Sequence, residues 1–279
     1  MRIVITGAAG FLGSELRRVL LGFEQIEVIG VTRLRIPGML TVDNYEDTPT
    51  GDILVHLAES SERMVANFNG EAYEQEVKQL LEKLGKKRFK RIVYASSAVL
   101  YGDQNTRSCT ESDPIHLTDS YTRIKNISED WVVEHGGIVA RLSNLYGPGM
   151  SDKNVLGTIL SQLANTGPII VNDTKPIRDF LWIEDAAKAL AIMVTGQMSG
   201  IFNIGSGVGI SILQLANSTL EAAGLSGRQV LSRTKSVSCS NLVLDITKAS
   251  IKLGWYPSID FKQGIVSMLN IDKNRLELC

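Results

Sequence analysis

The chain has little of what marks secreted, metal-binding or membrane-spanning proteins. Its 279 residues include three cysteines, Cys109, Cys239 and Cys279, whose separations fit neither a disulfide framework nor a metal site. Free thiols in a reducing compartment are expected. No stretch approaches the ~18 consecutive apolar residues of a membrane span, and no charged leader precedes an apolar segment. The expectation is a cytosolic protein with no membrane partner. An excess of one charge is missing too: 29 Lys and Arg stand against 30 Asp and Glu, a formal net charge of −1. That leaves no basic surface for nucleic acid, and the cluster Lys86, Lys87, Arg88, Lys90 and Arg91 reads as a solvated helix end before a strand. No internal repeat, low-complexity tract or linker is visible.

What is present is an ordinary globular composition, 44% hydrophobic and 21% charged, long enough for one large α/β domain with an appended lobe. Met1 to Thr6 reads as a short apolar strand running directly into TGAAGFLG, with glycines at 7, 10 and 13. In such a turn Gly7 takes a backbone conformation closed to other residues, Gly10 lets the main chain approach a ligand, and Gly13 permits close helix-on-strand packing. Leu12, Leu16, Val19 and Leu20 follow at helical spacing. A helix starting there aims unpaired N–H groups and its positive dipole end at whatever lies over the loop, an arrangement suited to a pyrophosphate.

Glu27 to Thr32 is the expected second strand, whose C-terminal end faces the adenosine ribose in a doubly wound fold. The Thr32-Arg33 pair there supplies a hydroxyl and a guanidinium suited to a ribose 2′-phosphate, so Arg33 points to NADP in preference to NAD. A solvent-facing loop arginine is the competing reading. Leu40 to Asp43 and Asp52 to Leu57 are the third and fourth strands, separated by a connection too short for an ordinary crossover helix. Asn67 to Gly70 opens a helix through about Leu84, with Asn69 either a cap or turn residue or in a structural role toward the cofactor. Arg91 to Ser96 reads as a buried parallel strand with Ser96 and Ser97 at its end. Tyr121 and Lys125 then lie four apart in a stretch free of Pro and Gly, which places phenol and ammonium one helical turn apart on one face. A cation so placed stabilises the phenolate and draws a tyrosine toward proton exchange at neutral pH.

The loop TGAAGFLG and the Ser97, Tyr121, Lys125 constellation together resemble the short-chain dehydrogenase/reductase superfamily, in its extended, nucleotide-sugar-modifying branch, the NAD-dependent epimerase/dehydratase family. The resemblance implies an α/β fold: a Rossmann-type doubly wound parallel sheet with a smaller C-terminal substrate-binding lobe. It implies a cofactor cradle of Gly7, Gly10, Phe11, Leu12 and Gly13, with Asp43 at the adenine and Leu57 and Ala58 lining the cofactor. Lys125 would also meet the nicotinamide ribose. Ser96 is the alternative to Ser97, which the offset to Tyr101-Gly102-Asp103 favours. RLSNLYGPG, residues 141 to 149, is similar to the family segment whose Asn, here Asn144, meets the substrate. RDFLWIEDAAKAL, residues 178 to 190, is similar to the segment whose Arg, here Arg178, pairs with a nucleotide diphosphate; a bridge to Asp179 or Glu184 is the other use open to it. Glu59 and the polar residues after it depart from the small-residue pattern of the family.

The implied division places residues 1–148 and about 179–204 in the NAD(P)-binding domain, and about 149–178 with 205–279 in the substrate lobe. Ala98 and Val99 stand where the branch's 4,6-dehydratases carry an Asp-Glu pair, and Ala98 and Lys153-Asn154 replace the Cys and His of its 3,5-epimerase/reductases. What one Tyr and one nicotinamide can do is left. The reading is an NADPH-dependent reductase of a nucleotide-linked 4-keto-6-deoxy sugar, with a nucleotide-sugar 4-epimerase holding NAD as alternative. A non-catalytic NADP-binding sensor or scaffold is the reading of another class. A homodimer is expected by resemblance.

Overall fold

The computed structural model describes residues 1–234 and 240–277, with side chains described as far as residue 270; Cys239 and Cys279 lie outside the described residues. In chain order the elements are β1 (Arg2–Thr6), α1 (Phe11–Leu20), β2 (Glu27–Thr32), β3 (Leu40–Thr41), β4 (Ile53–His56), α2 (Arg63–Gly85), β5 (Arg91–Ser97), α3 (Ser120–Glu134), β6 (Ile138–Leu142) and β7 (Asn144–Tyr146). They continue with α4 (Val155–Ser161), β8 (Ile169–Val171), β9 (Ile177–Trp182), α5 (Ile183–Thr195), β10 (Gly200–Ile204), β11 (Gly209–Ser211), α6 (Ile212–Ala222), β12 (Val230–Ser232), β13 (Asn241–Leu242), α7 (Thr247–Leu253) and α8 (Phe261–Glu277).

Seven strands form one parallel sheet in the order β10-β6-β5-β4-β1-β2-β3. Its strands are short apolar runs because both faces are covered. On β1, Ile3 and Ile5 join the cluster built on Leu16 and Leu20 of α1 and Ala186, Ala187 and Leu190 of α5, while Val4 faces the other way with Val31 and Val42. On β5, Val93 faces α1 and α5, whereas Ile92 and Tyr94 pack with Leu84 of α2 and Val132 of α3. This is the Rossmann-type doubly wound fold. The order reverses between β1 and β4, whose C-terminal ends bound the crevice where such folds take a ligand.

A second apolar cluster is built on Tyr146, Leu156, Ile159, Phe180, Trp182 and Leu215. Tyr146 is its hub: its ring stands edge-on to Trp182 at 5.3 Å and lies 5.2 Å from Phe261. Trp255 belongs to the first cluster, 3% exposed, with its indole N–H donated to the Asp185 carbonyl at 3.1 Å.

Three local expectations shift. The third strand is only Leu40–Thr41, and a single 3-10 turn, Tyr45–Asp47, fills the connection to β4. Helix α2 starts at Arg63, not Asn67, and Gly70, at φ +55°, breaks it into two segments. The capping asparagine is Asn67 and not Asn69, and it serves α3: its Oδ1 accepts from the Tyr121 amide at 2.9 Å and its Nδ2 donates to Asp119 at 2.8 Å.

Candidate active site

The site is assembled from the turn after β1, the ends of β4 and β5, and one face of α3. Gly7 sits at φ +69°, and a Cβ there would lie 2.5 Å from the Leu57 carbonyl oxygen and 3.0 Å from the Ala58 Cα. The first turn and the end of β4 are therefore packed backbone to backbone, with Gly7, Leu57 and Ala58 in one wall. At Gly13 a Cβ would meet the Gly7 carbonyl oxygen at 2.2 Å. Gly10 is the N-cap of α1 and offers no side-chain cap, and no acidic residue lies in the first turn. The opening amides, on Phe11, Leu12 and Gly13, thus have no partner within the helix. These residues fit a dinucleotide: the cradle is one that a single added Cβ would fill, and its free donors suit a pyrophosphate.

Helix α3 carries the reactive pair. Its start is fixed by a reciprocal capping box, the Thr122 amide donating to Asp119 Oδ1 at 3.0 Å and the Asp119 amide to Thr122 Oγ1 at 3.1 Å. Tyr121 is 8% exposed and packs with Ala66, Val77, Leu81 and Ile124. The Lys125 ammonium stands 5.8 Å from the centroid of the Tyr121 ring and 5.0 Å from that of Tyr94. Ser97 ends β5 and caps the short turn Ala98–Tyr101, its Oγ accepting from the Val99 amide at 3.3 Å. Ser96 Oγ is buried and has no hydrogen-bond partner.

One residue of this site was not expected from the sequence. The Glu59 side chain, 3% exposed, accepts from Lys125 Nζ at 3.0 Å and from the Tyr94 and Ser128 hydroxyls. Burial pushes its carboxyl up, but the Lys125 charge, His56 and Ser128 outweigh that and bring it down to about 2. Burial acts on Lys125 in the opposite sense, and the Glu59 charge overcomes it, so the ammonium is held above its ordinary range. The only trace in the sequence is a lone acidic residue directly after a buried strand.

The remaining predicted residues lie in two other places. Arg33 is exposed at the end of β2, its guanidinium 5.5 Å above the Tyr45 ring, and Asp43 is exposed just past β3. Asn144 and Arg178 line a cavity of about 550 Å³ together with Lys153, Asn172, Phe180 and Arg233; Ser97, Tyr121 and Lys125 are not in its wall. Asn144 donates to the Asp179 carbonyl at 3.0 Å. Arg178 bridges neither Asp179 nor Glu184. Its guanidinium donates to Ser240 Oγ at 2.7 Å and pairs with Asp103 at 3.2 Å. Asp179 points the opposite way and accepts from the Ser206 amide and hydroxyl, both at 2.7 Å, and from the amides of Gly207 and Leu244. Glu184 pairs with Arg18 and Lys188. Lys153 and Arg233 are further cations of this cavity that sequence reasoning gave no binding role.

A parallel doubly wound sheet, a glycine cradle at its switch point and a Tyr/Lys pair on the helix beyond define an enzyme of the extended short-chain dehydrogenase/reductase type. The profile of the NAD dependent epimerase/dehydratase family matches residues 3–205, and the chain belongs to that family. Among curated relatives, the "Putative UDP-glucose 4-epimerase" of Methanocaldococcus jannaschii is 28% identical, covering 98% of both chains. UDP-glucuronic acid decarboxylase 2 of Arabidopsis thaliana is 25% identical over 99% of this chain and 69% of its own. In fold the chain is similar to UDP-glucose 4-epimerase of Thermotoga maritima, solved with UDP-glucose, at a TM-score of 0.87 and 22% identity, covering 99% and 100% of the two chains.

Proposed function

We propose that the protein is a nucleotide-sugar oxidoreductase acting at one ring carbon, as an NADPH-dependent reductase of a nucleotide-linked 4-keto-6-deoxy sugar. The observation that carries this reading is the Tyr121 and Lys125 pair on the buried face of α3, with Ala98 and Val99 following Ser97 where a second acid and base would be needed for elimination. A nicotinamide dinucleotide, when bound, supplies hydride transfer to or from carbon. Tyr121 gives or takes the proton at the carbonyl oxygen, and Ser97 orients that oxygen by hydrogen bonding. Lys125 places its positive charge on the same helix face, 5.8 Å from the Tyr121 ring centroid. Gly7, Gly10, Phe11, Leu12 and Gly13 hold the pyrophosphate with main-chain donors, between Leu57 and Ala58 on one side and Asp43 at the adenine end. Arg33, exposed and stacked on Tyr45, is set to meet a 2′-phosphate. The cavity between residues 144 and 233 takes the nucleotide portion of the substrate, with Asn144 and Arg178 as its polar contacts. The second apolar cluster supports the division into a cofactor domain and a smaller substrate lobe.

A 4-epimerase with tightly held NAD is the second reading, favoured by the names of the relative from M. jannaschii and the neighbour from T. maritima. One assay separates the two. Purified protein is expected to consume NADPH in step with a 4-keto sugar nucleotide, with Tyr121→Phe lowering kcat by roughly 10²- to 10⁴-fold while still binding cofactor. Interconversion of 4-hydroxy epimers without net cofactor turnover selects the epimerase. Full activity in Tyr121→Phe would overturn both, and Arg33→Ala is expected to lower the NADP-to-NAD affinity ratio about tenfold or more.

A further inference from the structure

Burying a carboxylate and an ammonium together is costly, and an apolar pair of similar volume would hold the same fold as well. The Glu59 and Lys125 pair therefore calls for a reason beyond stability, and its surroundings supply one. Glu59 leaves the chain three residues past His56, at the C-terminal end of β4, and its two oxygens face different groups. Oε2 takes Lys125 Nζ and the Tyr94 hydroxyl; Oε1 takes the Ser128 hydroxyl, one turn further along α3. His56 Nε2, otherwise without a partner, lies 3.7 Å from Oε1, and its Nδ1 meets Thr6 Oγ1 at 2.8 Å, one residue before the Gly7 turn. The ammonium has three N–H groups. Glu59 and the Ala95 carbonyl, at 3.3 Å, take two of them, and the third is left for whatever lies beside Tyr121.

We propose that Glu59 is a positioning residue for the reaction set out above: fixed at the end of β4, its carboxylate holds the Lys125 side chain in one place and one charge state beside Tyr121. The inference rests on that reading for its catalytic consequence, but the ion pair itself can be measured without any turnover. The titratable groups facing the pair are His56 from β4, Tyr73 from α2, Tyr94 from β5 and Tyr121 from α3 itself. The three tyrosines bring no positive charge and His56 faces Glu59 Oε1, which leaves the Lys125 ammonium, 5.8 Å from the Tyr121 ring centroid, as the cation beside Tyr121. Held ionised far below neutral pH, Glu59 has no proton to give and acts through Lys125 alone. Remove its charge and burial of the ammonium loses its largest opponent, so the proton is released at lower pH. Tyr121 loses its cation with it.

The test uses the full chain labelled with ¹³C at the lysine ε-carbon, with no nucleotide added; the Lys125 resonance is the one absent from Lys125→Met. Lys125 is expected to stay charged beyond the ordinary lysine range in the unaltered protein and to titrate lower in Glu59→Gln by about one pH unit or more, a tenfold change in proton affinity. Identical titrations in the two proteins would overturn the proposal. Should Glu59→Gln fail to fold, Glu59→Asp keeps the charge but withdraws it by one methylene; it must also lower the titration, and an unmoved curve overturns the proposal equally. In turnover, the alkaline limb of the kcat profile is expected to move down with the Lys125 titration while cofactor KM changes little. A uniform fall in kcat at every pH would make Glu59 a structural residue only. Absence of turnover in the unaltered protein with every sugar nucleotide would count against the proposed function and leave the resonance titration to judge the ion pair.

Discussion

Glu129 and Arg141 form another buried ion pair, and they differ instructively from Glu59 and Lys125. The Arg141 guanidinium donates to Glu129 at 2.6 and 2.9 Å and to the Tyr101 hydroxyl at 2.9 Å, and that hydroxyl donates to Asn203 at 2.8 Å. Each of these four side chains is hydrogen-bonded to the next, and the series ties α3, β6 and β10 together well inside the sheet. Glu129→Gln leaves the guanidinium buried without its counter-charge, so it is expected to lower unfolding free energy by about 3–5 kcal/mol in urea titrations. Cofactor binding by the folded fraction is expected to be unchanged. At this scale the sequence is uneven in what it discloses. Tyr121 and Lys125 are legible because their proximity is set by helical spacing within five residues. Glu59 is not, because its partners come from β5 and α3, 35 to 69 residues away. Arg178 lines the cavity of about 550 Å³, but Asp103 and Ser240, which hold it there, are separated from it by 75 and 62 residues, beyond the reach of local sequence.

Among the elements, the turn joining β1 to α1 is the most tightly specified. The contact at Gly13 is with backbone, which cannot swing aside as a side chain can. Gly13→Ala is expected to cost about 1–3 kcal/mol of stability and to weaken dinucleotide binding, read by chemical denaturation and by cofactor titration. The glycine spacing made this turn readable before any coordinates, since three glycines at fixed offsets between a strand and an amphipathic helix have few other uses. Helix α2 was harder. Gly70 looked like an entry signal beside Asn67 and Asn69, but the residues before it, Arg63 to Asn69, form a helical segment of their own that packs Ala66 against Tyr121. A glycine with positive φ can break a helix as readily as precede one, and local sequence does not separate the two cases. The two-residue β3 was overextended for a similar reason: Val42 and Asp43 continue the apolar-polar alternation, although the Val42 amide gives its bond to the Thr32 carbonyl at the very end of β2.

For the molecule as a whole, the carboxylates predict an acid-sensitive fold with a broad plateau. Glu59, after burial is outweighed by Lys125, and Asp113, held chiefly by its hydrogen bond from Arg107, each have a carboxyl brought down to about 2. Groups depressed in the folded state contribute stability above the unfolded value of about 4 and lose it as pH falls toward their folded value. The Lys125 contribution has the opposite sign: it is present below the ordinary lysine value and lost as pH rises beyond the raised folded one. Thermal melts followed by circular dichroism should therefore give a Tm nearly constant from about pH 5 to 9 and falling between about pH 4 and 2. In Glu59→Gln the acid fall should be shallower. The parallel doubly wound sheet was legible in outline because β1, β4 and β5 are short apolar runs, each with a helix next in sequence on the way to the following strand. The second sheet was not, because its strands are two to six residues long and pair across large sequence gaps.

Strand β9 has a bearing on how the protein is made. It is hydrogen-bonded to residues 144–146, 209–211 and 241–242, and Asp179 on it holds the amides of residues 206, 207 and 244. A ribosome that has delivered the glycine cradle, Tyr121 and Lys125 has therefore not yet supplied β9 or any strand that pairs with it. During synthesis the second sheet waits for residues 241–242 and the first apolar cluster waits longer still, for Ala249 and Trp255, and contacts of such long separation form slowly.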